Sequence, residues 1–133
     1  MIAAGNLAWH AIEREDLAEA RTQALRSYEI GRTTEISVDS WSYFISMMAH
    51  IAARQGRLAR FARLQEATLA YWGGANQFSF MDAAEVARTE ALAALGRAEL
   101  GEEGWVSACA AGRAMTLAQA IEEALREARD EPE

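Results

Sequence analysis

Lysine is absent from this chain, proline and cysteine occur once each, and valine occurs only at Val38, Val86 and Val106. Each shortage excludes something. The one proline is Pro132, so no proline breaks a helix upstream of the tail. A single cysteine, Cys109, allows no internal disulfide, which fits a reducing cytoplasm. Few β-branched residues in a background of alanine disfavour strands and favour helices. No apolar run approaches the roughly 18 residues that span a membrane. The opening MIAAGNLAWHAIERED has no basic stretch and turns acidic at once, so no signal peptide is predicted. A net charge of -7 repels phosphate backbones and argues against nucleic-acid binding by this segment.

At 133 residues, 51% of them hydrophobic and 25% charged, the chain suits one globular domain with a real core. The expected fold is all-α, an array of antiparallel helical hairpins with about seven helices. The hairpins cover about 2–31 and 40–72, and a closing unit covers about 79–130. The clearest stretch is Ile45 to Gly74. Ile45, Met48, Ala49, Ala52 and Ala53 form one stripe at spacings of three and four. Leu58, Phe61, Ala62, Gln65, Leu69 and Trp72 form another, and Gly56 between them suits a left-handed helix stop. The alanines would let the two helices approach closely.

Other helix ends carry similar signals. Asp16 with Glu19, and Thr116 with Gln119, have capping-box spacing. Asp39, Ser40 and Ser79 are further candidate caps. Gly31, Gly101 and Gly112 read as stops, and Gly96 as a glycine inside a helix. Ala84, Ala87, Ala91, Leu95 and Leu100 are expected on the buried side of helix five. The last helix should bury Leu117, Ile121, Ala124, Leu125 and Ala128 and keep an acidic outer face.

An internal repeat emerges when the hairpins are overlaid with an offset of about 41 residues: Ala8 falls on Ala49, Ala11 on Ala52, Glu15-Asp16-Leu17 on Gly56-Arg57-Leu58, and Ala20 on Phe61. Leu7, Ala8, Ala11, Asp16, Leu17 and Ala20 resemble the tetratricopeptide pattern; Arg57 and Phe61 depart from it. The segment Arg60-Phe61-Ala62-Arg63-Leu64 through Gly73-Gly74, the turn Leu100-Gly101-Glu102-Glu103-Gly104-Trp105, and Gly112-Arg113-Ala114-Met115-Thr116-Leu117 before Ala120-Ile121 resemble one family. That family is the C-terminal tetratricopeptide-like region of bacterial signal-transduction ATPase regulators, of the predicted-ATPase, LuxR-type or AfsR-like groups. The resemblance implies a non-catalytic protein-interaction or sensory domain in the C-terminal part of a transcriptional regulator. Its partner would be a protein, a peptide or the regulator's upstream domains. The second reading is a stand-alone adaptor or homodimeric scaffold. No phosphate-loop motif is present, no cofactor is implied, and no catalytic residue carries over.

Each candidate surface residue also has a plainer role. Trp41 with Phe44, and Trp72 with Phe78, are candidates for an exposed aromatic cluster that anchors a peptide. Core packing is the plainer reading for any one of them. Arg57 and Arg60, with Arg54 and Arg63, recur at every third position and can grip an acidic peptide or a phosphate. Their plainer role is a solvated face paired with Glu66, Glu122, Glu123 or Glu127. His10 and His50 lack companions at ligand spacing and differ by one position in the overlay, so no metal or acid-base site is expected of them. Cys109 reads as a small core residue.

Overall fold

A computed structural model describes residues 2–33, 38–71 and 83–131. Among them the chain is all-α, with six helices and no strand: α1 (Ile2–Glu13), α2 (Leu17–Thr33), α3 (Val38–Arg54), α4 (Leu58–Tyr71), α5 (Ala83–Ala114) and α6 (Leu117–Ala128). From α1 to α5 each helix packs against its neighbour in sequence, and α6 returns across α2, α3 and α4.

The first two hairpins turn in the same way. At the end of α3, Arg57 N–H donates to the Ala52 carbonyl at 2.9 Å and Gly56 N–H to the Ala53 carbonyl at 3.1 Å. At the end of α1, Asp16 N–H donates to Ala11 at 2.9 Å and Glu15 N–H to Ile12 at 3.0 Å. Both are Schellman stops, with Gly56 at φ 76 and Glu15 at φ 61. The offset read from the sequence therefore relates residues in the same backbone state. Glutamate has a Cβ penalty there that glycine lacks. Glu15→Gly is expected to stabilise the fold by about 0.5–1 kcal/mol, because the exposed Glu15–Arg54 pair that it removes is weak. A rise in the urea midpoint at unchanged slope checks this.

Small residues set the helix spacing. Ala8, Ala11, Ala20, Ala24, Ala49 and Ala52 are fully buried. The α3 stripe is buried as expected and widened by Phe44, Met47 and Ile51, while α4 buries Leu58, Arg60, Phe61, Ala62, Leu64, Gln65 and Ala67. That set runs around most of α4, which is hemmed in by α3, α5 and α6.

The α5 run is broken at Gly101, whose φ 77 and ψ 163 are open almost only to glycine. The ring of Trp105 lies where a Cβ on Gly96 would be. In a straight helix these residues would stand about 13.5 Å apart along the axis, so the break folds the two halves toward each other. Helices five and six of the sequence reading are these halves. Gly96 is explained by the tryptophan that covers it.

Several expectations need correction. Gly112 is no stop: α5 runs on to Ala114, and a Cβ at Gly112 would overlap the backbone of Arg63. Gly31 lies inside α2 and is buried. Leu95 and Leu100 are 46% and 36% exposed, and Ala87 and Ala91 are also exposed. The packed side of α5 before the break is instead Leu92, Ala93 and Gly96, with the Trp105 ring against Gly96. The Thr116–Gln119 capping box forms in full. At Asp16 only half forms: its carboxylate accepts from Glu19 N–H, while the Glu19 carboxylate accepts from Gln23. Ser79 and the 73–76 loop lie outside the described residues, as do the side chains of Asp39 and Ser40.

Candidate functional site

Three helices meet around a cleft of about 200 Å³. Trp9, Ile12 and Glu13 of α1, His50 and Arg54 of α3, and Arg88, Ala91 and Leu92 of α5 line it. The repeat explains the first two walls, since the same offset places His50 on Trp9 and Arg54 on Glu13. The Trp9 and His50 rings meet edge-to-face with centroids 5.1 Å apart, and Phe61 backs His50 at 6.0 Å.

His50 is 9% exposed. Burial, with the charges of Arg88 and Arg54 next, lowers its pKa to about 4, so its imidazole is neutral at pH 7. Among the described residues no hydrogen bond reaches its ring nitrogens. Arg54 Nη1 pairs with the exposed Glu15 at 3.2 Å, and Arg88 Nη1 stands 4.0 Å from Glu13. Both arginine heads sit at the cleft with weak partners.

The second charged constellation joins α4 to α6. Arg57, Arg60 and Arg63 face Glu123, Glu127 and Asp130 in a seam. Arg57 Nη1 donates to Glu127 Oε2 at 2.5 Å and its Nη2 to Asp130 Oδ1 at 3.1 Å. Arg63 Nη2 donates to Glu123 Oε1 at 2.6 Å, and Arg60 Nε reaches the same oxygen at 3.3 Å. The Glu127 and Glu131 carbonyls, at the negative end of α6, accept from Arg21 Nε at 3.1 Å and Arg60 Nη1 at 2.6 Å. Burial pushes the Glu127 carboxyl up against the pull of Arg57 and Arg60. At Glu123 burial also raises the carboxyl, but Arg63 and then Arg60 outweigh it and hold it below its ordinary value. The charge of Arg21, with a hydrogen bond from Arg57, holds Asp130 low.

The seam corrects two surface assignments. Arg60 is wholly buried, with Glu127 beside it, so neither lies on a solvated face. The last helix turns Glu123 and Glu127 inward with Ala120, Ala124 and Ala128, while Leu117, Ile121 and Leu125 are half-buried. Arg57 is 21% exposed and engaged by both Glu127 and Asp130. Phe44 is also buried, its ring 4.8 Å from Tyr28, because it shares the inward stripe of Met47, Met48 and Ile51. Trp41 falls on α3 with its side chain outside the described residues; Trp72 and Phe78 lie outside them altogether.

Cys109 is buried in the core, and burial, with Glu66 next, raises its thiol. Among the described residues no group of His, Cys, Asp and Glu can hold a metal ion, and no helix is long and apolar enough to cross a membrane.

His50 and Arg88 of the cleft are not among the surface residues that the sequence singles out. The overlay already contained the signal, since it superposes His50 on Trp9. It pairs those two as inward-facing equivalents, a relation hidden when the two histidines are compared only with each other. No protein-family model, curated protein or solved structure matches this chain.

Proposed function

We propose that this domain is a non-catalytic recognition module, the sensory or protein-interaction part of a bacterial transcriptional regulator. The observation that carries the reading is the cleft between α1, α3 and α5, where an aromatic and aliphatic wall meets two weakly paired guanidiniums. Such convergence of apolar surface with a few polar groups is what ligand sites share. The resemblance of the Leu100–Trp105 and Gly112–Leu117 segments to the regulator family supports the context. Differential binding of a ligand by this module would bias the state of its partner domains.

Removing this domain in the source cell tests the reading. A changed transcript level at a defined set of genes is expected, and an unchanged transcript profile would overturn it. A second reading, a self-associating scaffold, is favoured by the exposed Leu95, Leu100 and Val106 on α5. A strictly monomeric mass in light scattering at high concentration would remove it.

A further inference from the structure

The cleft has a charge of its own. The chain as a whole carries a net charge of -7. Yet after burial it is Arg88 and Arg54 that act on His50, and both keep it unprotonated. The lining thus sets two guanidiniums against one carboxylate, Glu13, inside an acidic protein. A polyanion or an acidic peptide would be repelled by the surroundings more strongly than a small anion with one charge.

Size and lining narrow the occupant further. About 200 Å³ falls below the roughly 300–1,000 Å³ of drug-sized sites. Trp9, Ile12 and Leu92 offer an apolar wall, which suits an aromatic or branched body. Arg54 and Arg88 offer forked donors whose present partners are exposed or distant. His50, nine-tenths buried and unpartnered among the described residues, adds a neutral donor or acceptor between them.

We propose that this cleft binds a small organic monocarboxylate with an aromatic or branched apolar body. Its carboxylate is held by Arg54 and Arg88, and its body lies against Trp9, Ile12 and Leu92. The proposal rests on the recognition reading above and names the ligand class for the same cleft. The acid is either a free metabolite or the last residue of a peptide, since both present the same chemistry.

Calorimetric titration of the full chain tests it, with phenylacetate, phenylacetamide, and a short phenylalanine-terminated peptide bearing either a free or an amidated C-terminus as probes. Phenylacetate is expected to bind, and its amide to bind at least about tenfold more weakly, because it has no charge for the guanidiniums. Arg88→Gln, at a half-exposed position, should weaken phenylacetate by about tenfold or more. Arg126→Gln, at an exposed arginine on α6, should leave it unchanged. Binding of the free-ended peptide alone supports the site and assigns the carboxylate to a chain terminus. The proposal is overturned if neither acid binds at millimolar concentration, if the amides bind as well as the acids, or if Arg126→Gln weakens binding as much as Arg88→Gln. Failure here leaves the transcript experiment untouched, so loss of the ligand class and loss of the recognition reading are told apart.

Discussion

Glu127→Ala is expected to destabilise the protein by about 3–5 kcal/mol, the range found when one partner of a buried ion pair is removed. Glu127 is wholly buried and receives Arg57 while Arg60 stands 3.6 Å away. Without it, Arg60 keeps its charge in the interior with only Glu123 and a carbonyl to answer it. A loss of that size is a large share of the roughly 5–15 kcal/mol that holds a domain together. Arg113→Ala supplies the contrast. It removes a pair with Glu66 at an arginine that is 53% exposed, and should cost less than about 1 kcal/mol. The double change Arg60→Met with Glu127→Leu is expected to recover most of the loss, since apolar pairs of similar volume replace buried ion pairs without penalty. Urea unfolding of the four proteins measures this. A Glu127→Ala variant as stable as the parent would show that the seam contributes nothing.

The second large effect is a pH dependence centred on His50. Its pKa is about 4 in the folded chain against about 6.5 unfolded. Between those values the unfolded chain takes up a proton that the folded chain refuses. Stability is therefore complete above pH 6.5 and falls as the pH drops toward 4. The loss amounts to about 2 kcal/mol by pH 5 and about 3 kcal/mol at the acid end. His50→Gln abolishes this component, so the difference between parent and variant should shrink by that amount from pH 7 to pH 5. Glu123 and Asp130, both held low, lose stability only as the pH falls below their ordinary range near 4.5 and 3.8. Glu127, held high, acts in the opposite sense above that range in both proteins. The histidine is thus isolated by subtraction. Parallel pH profiles for parent and variant would refute the assignment.

These effects arise from parts of the fold that differ in how far the sequence exposed them. The α3 stripe, the Gly56 turn and the Thr116 cap were legible because each is local: a period, a backbone state, a side chain reaching three residues along. The burial of Arg60 was not, because it follows from α6 returning across α4 from more than sixty residues away in sequence. An arginine at every third position looks the same whether water or glutamate lies opposite. The α5 face was misplaced for a similar reason. Its apolar residues occur on several sides, and the side that turns inward is the one with close tertiary contacts, Gly96 under the Trp105 ring and Gly112 against the Arg63 backbone. The cleft needed both kinds of information. Its α1 and α3 walls were implicit in the repeat, whereas Arg88 joins them only through the packing of α5.

The bend at Gly101 gives α5 two duties under one joint. The arm before it brings Arg88 and Leu92 to the cleft, and the arm after it anchors Trp105 and Cys109 in the core. The aperture of the cleft is therefore governed from a residue that does not line it. Any side chain placed at Gly101 would strain the corner and tend to straighten the rod, drawing Arg88 away from Arg54 while leaving every lining residue intact.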